Sequence, residues 1–504
     1  MNQTQETLDL LKTAQATPDD IIKSFVQPGS ATTGLQAYNL EAPSKKLYPI
    51  LTPLRNSIPR VGGGYAIQAN WKTITDINVG NVRAGVSEGK RGGVITHALN
   101  EVFAAFRGFG LENSVTFEAN YASKNFEDVK ALAVQTTLEA TMVQEERLIL
   151  GGNTSVAMGT TPTPTLTTAT TGGTLAAATY SVICVALGLQ AYLDMVGVNN
   201  GATGQAFAAA STTVPAQISR TNADGSSDTF GGGSAQKSAA ATQVTTGSTS
   251  TVTATVTPVA GAVGYAWFIG AAGSERLYGV TSINSVVFTA AANGAAQLAS
   301  ALPSSDSSTS TLDFDGLLYQ AYKSGSNAYI KTMATGTGGT GTGLTSDGAG
   351  GIVEFEEAFV NFYNKYRLSP TVIYMSSQEL INVTKKIIGN GGAPLLRLTT
   401  DASNPAAIQA GLVVGEYLNK VMNQKVAIRV HPNMPAGTIF MYTERLPYPL
   451  SNVSNVAQML MRQDYYQLEW PLKTRKYEYG VYADGVLQHY APFSMGIITN
   501  IGNA

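Results

Sequence analysis

Cysteine occurs once in 504 residues, at Cys184, so neither an intrachain disulfide nor a multi-thiolate zinc site can be built. Histidine is almost as scarce: His97, His431 and His489 are widely separated and none has a second ligand at metal spacing. Charge is thin. Charged residues make up 13% of the chain, against roughly a quarter in an ordinary soluble domain, and 32 Lys+Arg against 34 Asp+Glu leave a formal net charge of -2. That balance excludes the broad basic face on which non-specific nucleic-acid binding depends. No apolar run reaches the ~18 residues of a membrane helix. Met1 to Thr13 lacks the basic-then-hydrophobic order of a secretory signal, and a non-exported product is the expectation. Low charge without membrane spans suits a chain that buries much of its surface against copies of itself.

Catalytic signatures are missing as well. The glycine-rich stretches Gly336 to Gly343 and Gly348 to Gly351 lack the Gly-Lys-Ser/Thr ending of a phosphate-cradling loop, and no Gly-x-Ser-x-Gly elbow is present. Cys184 lies between Ile183 and Val185, with no base beside it, and reads as a small apolar strand residue. Glu145 and Glu146 are adjacent on a helix and diverge by ~100°, which suits an ion pair with Arg147 or with a neighbouring subunit, not a two-carboxylate site. The expectation is therefore no catalytic, cofactor-binding or metal-ligating residue.

What is present is a break in composition. From about Thr154 to Gly350 the chain turns to Thr, Ala, Ser and Gly with hardly a charge, while both flanks carry ordinary globular sequence. This reads as one domain inserted into a loop of another. In the first flank, Pro18, Pro28, Pro43, Pro49, Pro53 and Pro59 allow little beyond a short helix over Thr7 to Ala16 and leave an extended arm. Ile67, Ala69 and Trp71 alternate with polar neighbours, and after a slip Ile77 and Val79 alternate again, as in a strand with one apolar face. Gly80 to Gly93 reads as a flexible tip carrying Arg83, Lys90 and Arg91, from which Val94 to Phe109 and a strand Ser114 to Tyr121 return. Such a projection buries little within one subunit and suits a neighbour. Phe126 to Leu150 has apolar residues at three- and four-residue spacing, stops at Gly151 and Gly152, and predicts a helix of roughly 35 Å.

In the insert, Tyr180 to Leu187, Gln205 to Ala210, Thr251 to Thr257, Tyr265 to Gly270, Arg276 to Val280 and Val286 to Ala290 read as strands of an antiparallel sandwich without helices, and Ser219 to Ser250 as a long loop. Pro258 to Val287 loosely resembles an immunoglobulin-like or fibronectin type III module. Beyond it the chain predicts a short helix around Leu317, a mobile loop Gly325 to Gly351, a helix Glu354 to Arg367, and a buried strand Thr371 to Met375. A helix Ser377 to Ile388 comes next, opened by Ser376 with Glu379; Lys425 to Val430 and Thr438 to Tyr442 are expected to pair, and closing strands are expected at Tyr465 to Trp470, Tyr477 to Tyr482 and Phe493 to Ile501.

This order of elements resembles the major capsid proteins of tailed bacteriophages, the Hong Kong 97-type fold. Glu145 to Gly152 is similar to the end of that family's spine helix, Asp315-Gly316-Leu317-Leu318 to the entry of its axial domain, and Leu368-Ser369-Pro370-Thr371 to the lead into the axial strand. Tyr477 to Tyr490, with Ala483-Asp484-Gly485 as a turn, is similar to the closing strands of the peripheral domain. The resemblance implies an α+β fold: an N-terminal arm over 1–64, an E-loop with its strands over 65–121, and a peripheral domain with the spine helix over 122–155. An inserted immunoglobulin-like domain over 156–310, an axial domain over 311–450 and peripheral return strands over 451–504 complete it. It implies a shell of pentamers and hexamers around double-stranded DNA, found in the virion and assembled in the host cytoplasm. Scaffolding, portal and decoration proteins are the implied partners, host glycans a possible ligand of the insert, and no membrane is involved. Lys72, Arg83, Lys90 and Arg91 are the expected interface residues, with Lys72 and Lys90 also matching the hairpin lysines that some relatives crosslink to an asparagine, here Asn452 or Asn455. Trp470 is expected to pack on Val129 and Leu132 of the spine helix as structural core. An encapsulin-like compartment, a β-rich adhesin or tail fibre, and an enzyme with a carbohydrate-binding insert are the rival readings.

Overall fold

Prolines at 43, 49, 53 and 59 hold the first stretch of chain out of long regular elements, and beyond them the chain is built mainly on strands. The computed structural model describes residues 43–78, 80, 82–124, 126–196, 207–208, 213–302, 304–389, 400–401, 404–408 and 414–502. The helix expected over Thr7 to Ala16 lies outside them. Two units are distinguished, Met1–Pro49 with Val115–Leu132, and Ile50–Ser114 with Ala133–Ala504. In the first, residues 43–49 form neither helix nor strand and are exposed. Helix α2 (Phe117–Ala122) opens on Thr116, whose Oγ1 accepts from the Ala119 N–H; this replaces the end of the strand expected to run to Tyr121, because a capping threonine followed by Glu118 favours a helical turn. Asp128 Oδ1 accepts from the Lys130 and Ala131 N–H groups and so caps the start of the long helix α3 (Val129–Gly151).

The second unit begins with α1 (Pro53–Ser57) and β1 (Arg60–Val61), followed by the hairpin of β2 (Gln68–Asp76) and β3 (Ala98–Ala105) and then β4 (Arg107–Thr116). The expected slip in β2 is a register shift between Ile74 and Asp76. A four-stranded sheet of order β1-β22-β23-β4 uses the long pair β22 (Ala457–Glu469) and β23 (Lys476–His489). Ala483-Asp484-Gly485 is not its turn. These residues sit inside β23, opposite Met461 and Gln463, where a bulge absorbs the irregularity that the Asp-Gly pair suggested.

The stretch expected to be an insert folds as an antiparallel two-sheet sandwich. Its strands are β5 (Thr165–Ala169), β6 (Thr179–Leu187), β7 (Phe207–Ala208), β10 (Ala241–Val244), β11 (Thr251–Thr255), β12 (Gly264–Gly270), β13 (Arg276–Thr281) and β14 (Ser285–Phe288), in sheets of order β10-β6-β12-β13-β7 and β14-β11-β5. Between the sheets, Val182, Cys184, Trp267 and Phe288 are fully buried, and Trp267 Nε1 donates to Thr281 Oγ1. The opposite face of β6 and β12, with Ile183, Val185, Leu187 and Phe268, is buried too, against Leu150, Phe314 and Leu317 of the flanking sequence. A strand covered on both faces needs an unbroken apolar run, and Val182 to Leu187 supplies one. Two sequence expectations fail here. Leu189–Val196 forms a helix, α4, because Leu189, Tyr192, Met195 and Val196 bury one stripe against that shared core. The expected loop Ser219 to Ser250 instead contains the hairpin β8 (Gln217–Thr221) and β9 (Ser227–Gly231) and strand β10.

The final lobe is a six-stranded sheet of order β15-β24-β21-β16-β20-β19. It comprises β15 (Tyr329–Thr332), β16 (Val372–Met375), β19 (Glu416–Asn419), β20 (Gln424–Val430), β21 (Ile439–Tyr442) and β24 (Gly496–Thr499). One face carries α6 (Val353–Tyr366) and α7 (Ser377–Gly389), packed through Phe355, Phe359, Phe362 and Val383. Outside it lie α5 (Leu317–Tyr322) and the pair β17 (Thr400–Asp401) and β18 (Asn404–Ile408). The strands β20 and β21 do not pair with each other; β16 lies between them, parallel to β20 and antiparallel to β21, because Val372–Met375 is fully apolar and fits only a central strand. The closing strand β24 belongs to this sheet and not to the returning pair β22 and β23. The expected mobile loop Gly325 to Gly351 contains β15 and is tied to the sandwich by Asn284 Nδ2 on Thr335 Oγ1 at 2.8 Å and the Gly339 N–H on Ser285 Oγ at 3.0 Å.

Candidate assembly surface and its anchor

The hairpin has two unlike faces. Ala69 and Trp71 of β2, with Val102 and Ala104 of β3, turn toward the body at its base, where Ala69 is buried and Trp71 packs edge-on against Tyr490. The other face carries Lys72, Ile74, Leu99, Glu101 and Phe103. Ile74 and Leu99 are direct cross-strand partners, yet they are 63% and 65% exposed, and Phe103 is 66% exposed. Val94 at 84% and Leu47 at 91%, on the arm, are barer still. Two strands with an uncovered apolar face are marginal in water.

Arg83, Lys90 and Arg91 are exposed in the segment between β2 and β3, and among the described residues none of them forms an ion pair. Lys72 lies 3.6 Å from Glu101 across the hairpin, both exposed, so it already has a partner in its own chain. Trp470 is not core. It stands just past the end of β22, 38% exposed, with Leu468 at 37% and Leu472 at 58%. Val129 and Leu132 are half-buried on the first turns of α3. The buried stripe of α3 runs Ala133, Thr137, Thr141, Glu145 and on to Ile149, and its threonines return their hydroxyls to the helix backbone, Thr137 to the Ala133 carbonyl and Thr141 to the Thr137 carbonyl. The polar side chains are therefore satisfied without a partner strand.

The centre that holds the arm was missed by the sequence reading. Glu145 and Glu146 are both fully buried, and they do point apart, each into its own set of partners. Glu146 accepts from the Leu54 N–H at 2.9 Å, the Arg55 N–H at 2.7 Å and His431 Nε2 at 2.6 Å. The two amides are the orphan donors at the start of α1, where Thr52 gives no side-chain cap, so a carboxylate from α3 does the capping. Glu145 pairs with Arg55 at 3.2 Å, with Arg60, and with the Tyr465 hydroxyl. Arg60 also meets Asp464 at 2.6 Å and lies over the Tyr465 ring. Burial alone would lower the Arg60 pKa, but the Asp464 hydrogen bond and the Glu145 charge outweigh it and hold the guanidinium above its ordinary value. Burial, reinforced by Glu145, pushes the Tyr465 hydroxyl up as well. Arg147, the expected partner of these glutamates, instead binds Asp194 of the sandwich helix at 2.8 Å. The only sequence signal was Glu-Glu-Arg inside an apolar helix end.

The sandwich is fixed to the body at a neck. Asp315 accepts from the Thr154 and Ser155 N–H groups and pairs with Lys323 at 2.6 Å, and Asn153 Nδ2 donates to the Ser308 carbonyl. A Cβ on Gly152 would collide with the Phe314 carbonyl, and one on Gly316 with the Leu148 carbonyl, so the helix end and the returning chain approach only because both are glycine. Tyr319, 2% exposed, takes the Leu189 N–H and gives its proton to the Gly261 carbonyl, both of the sandwich.

Among the described residues no cluster of His, Cys, Asp or Glu has metal-site geometry, and no helix is long and apolar enough to cross a membrane. No protein-family model and no curated protein matches the chain. Among solved structures, the chain is similar to the capsid of Myoviridae phage XM1, with 11% identity, 94% of this chain and 100% of that one covered, and a TM-score of 0.36. It is similar to the cyanophage A-1(L) capsid, with 8% identity, 92% and 97% covered, and a TM-score of 0.40. The holo-SrpI encapsulin of Synechococcus elongatus PCC 7942 is similar at 8% identity, with 92% and 93% covered and a TM-score of 0.36.

Proposed function

We propose that the chain is a shell-forming subunit of the Hong Kong 97 type, the major capsid protein of a tailed phage, whose copies close an icosahedral shell of pentamers and hexamers around double-stranded DNA. One observation carries the reading. The hairpin carries apolar side chains, Ile74, Leu99 and Phe103, that are largely exposed among the described residues, and Leu47 of the arm is exposed as well. Such elements become stable when they lie on another subunit, and repetition by symmetry multiplies weak contacts into a stable lattice. The exposed cations Arg83, Lys90 and Arg91 would set the register of that contact, and Lys72 would lie beside it. We read the sandwich, with Trp267 buried between its sheets, as an immunoglobulin-like insert available to host glycans or a decoration protein, and scaffolding and portal proteins as partners in assembly. On this reading the chain is not an enzyme, needs no cofactor, belongs to the virion and is assembled in the host cytoplasm.

Expression of the chain alone and with its neighbouring gene products, followed by negative-stain microscopy and nucleic-acid analysis of nuclease-treated particles, tests this. Closed shells that protect DNA are expected from the complete set. Shells that enclose a folded enzyme instead would identify an encapsulin-like compartment, and a subunit that stays monomeric under every assembly condition would end the shell reading.

A further inference from the structure

The sandwich carries a chemically reactive turn on its surface. Between β14 and the short 3-10 turn Ala299–Ala301 the chain runs through Ala292-Asn293-Gly294-Ala295-Ala296, with Asn293, Gly294 and Ala295 exposed. An asparagine followed by glycine is the pair in which the next backbone nitrogen reaches the side-chain amide most easily, because glycine puts no Cβ beside that nitrogen. Three such pairs occur in the chain; Asn200-Gly201 and Asn390-Gly391 lie outside the described residues, and Asn293-Gly294 lies within them.

The turn is closed at both ends of Asn293. Its Oδ1 accepts from the Ala295 N–H at 3.0 Å, and its carbonyl accepts from the Ala296 N–H at 3.0 Å. The first bond folds the side chain back toward the peptide that follows it. It also aims a backbone N–H at the oxygen on which negative charge develops when Cγ is attacked, as an oxyanion hole does. The Gly294 N–H, the attacking group, makes no hydrogen bond among the described residues. The residues just beyond are pinned: Arg276 Nη1 donates to the Ala296 carbonyl at 2.7 Å, the Leu277 N–H to the Gln297 carbonyl at 2.9 Å, and the Val214 N–H to Gln297 Oε1 at 2.8 Å. One conformation is held while the reacting atoms stay open to water.

Other asparagines lack this combination. Asn284, before Ser285, is fully buried, and its Nδ2 donates to the Val256 carbonyl and to Thr335 Oγ1. Asn113, before Ser114, lies within β4, and its own Oδ1 takes up the Ser114 N–H that would have to attack. In both, a serine Cβ also crowds the nitrogen.

We propose that Asn293 is a self-modification site, which converts without an enzyme to isoaspartate and aspartate. The Gly294 nitrogen gives its proton to water and bonds to Asn293 Cγ; the bond from Cγ to the side-chain nitrogen breaks, ammonia leaves, and a succinimide ring closes. Water then opens the ring, at the backbone carbonyl to give isoaspartate or at Cγ to give aspartate. One water is consumed and one ammonia released, with no oxidation or reduction. Each molecule gains a negative charge in a stretch that has hardly any, and isoaspartate adds a methylene to the backbone just ahead of the residues that pin Gln297 to β13. The surface of the sandwich therefore changes with the age of the protein, whether or not the chain forms shells.

The test uses the full-length chain, incubated warm at neutral pH and followed by peptide mapping with mass spectrometry. The peptide that holds Asn293 should gain one mass unit in ordinary water and three in heavy-oxygen water, and should become a substrate for isoaspartyl methyltransferase. Asn113 and Asn284 should convert at least about tenfold more slowly. Gly294→Ala supplies the decisive variant, because a Cβ there meets nothing within 4 Å and glycine is not required by a positive φ. It should leave circular dichroism unchanged and slow the conversion at least about tenfold. Since the turn is already set for attack, the folded chain should convert no more than about threefold slower than the chain unfolded in urea. An Asn293 that keeps its amide, a Gly294→Ala variant that reacts at the parental rate, Asn113 or Asn284 converting as fast, or a folded chain that lags further behind the unfolded one would each overturn the inference.

Discussion

Replacing Glu146 should free α1 from the end of α3. Its carboxylate accepts from the Leu54 and Arg55 amides and meets His431, all in a region closed to water. Glu146→Ala leaves two backbone N–H groups and one imidazole nitrogen without partners. Each buried unsatisfied group costs about 1–3 kcal/mol, so the three together cost ~3–9 kcal/mol, much of the roughly 5–15 kcal/mol that holds a domain together. Glu146→Gln keeps one acceptor oxygen for the amides but turns an NH₂ toward the remaining donors, and should cost about 1–3 kcal/mol. Urea unfolding of the soluble subunit, followed by tryptophan fluorescence, measures both. Trypsin reports the location, because Arg55 and Arg60 are held to Glu145 and should become cleavage sites once α1 loses its cap. An alanine variant that unfolds within ~0.5 kcal/mol of the parent, with Arg55 still protected, would refute the role of Glu146 as the cap of α1.

Excision of residues 158–305 with a Gly/Ser bridge should give insoluble subunits, contrary to what the composition break alone suggests. Leu150, Phe314 and Leu317 share one core with the sandwich, and exposing each costs about 1.5–3 kcal/mol; a soluble truncated subunit that forms shells would sink this. Tyr319→Phe probes the same joint mildly and should cost ~1–3 kcal/mol in denaturant by leaving the Leu189 N–H unpaired. Burial pushes the Glu379 carboxyl up to about 7, above its unfolded value, so the native state binds the extra proton and loses stability as pH rises from about 4.5 through about 7. Glu379→Gln should be more stable than the parent by ~3 kcal/mol at pH 8 and no different at pH 4, and equal curves at both pH values would contradict the burial argument. Reversing charge at Arg83, Lys90 and Arg91 together should leave the melting curve of the subunit unchanged while abolishing particles in the microscope; normal particles would exclude these cations from the contact.

The parts legible in the sequence were those fixed by local periodicity. The helix stopping at Gly151, the β2 alternation with its slip, and the sandwich strands lie where three- and two-residue spacing placed them, within a few residues. What was hidden is long-range. Nothing local tells β20 and β21 that β16 will separate them, or sends β24 to the six-stranded sheet instead of to β22 and β23. Leu189–Val196 was obscured by its setting, about two turns of helix in Thr- and Ala-rich strands. The anchor was hidden by a sound argument with a wrong corollary: Glu145 and Glu146 do diverge, but two buried carboxylates can each find cations and amides, drawn here from residues 54–60, 431 and 464–465. Composition marked the stretch that folds as the sandwich, but composition reports how a surface is solvated and says nothing about a face buried against a neighbour.

Trp470 makes the same point from the other side. Tyr466, Leu468 and Trp470 share a strand face by spacing, and spacing suggested a core packed on the spine helix. In the structure that end of β22 is exposed: Leu468, Trp470 and Leu472 are 37%, 38% and 58% exposed. The Trp470 N–H still holds the Glu478 carbonyl at 3.1 Å, a bond that alanine keeps because it belongs to the backbone. Truncation of a core tryptophan costs about 3–5 kcal/mol, but here over a third of the side chain is already in water, and the loss should not exceed about 2 kcal/mol. Trp470→Ala is therefore expected to be soluble, to show an unchanged circular dichroism spectrum and to unfold cooperatively at slightly lower urea. If the tip is a contact between copies, particle yield should fall more than stability does, since exposed aromatics at the centre of an interface carry a disproportionate share of its energy. An insoluble Trp470→Ala subunit would restore this residue to the core and contradict the exposed tip described here.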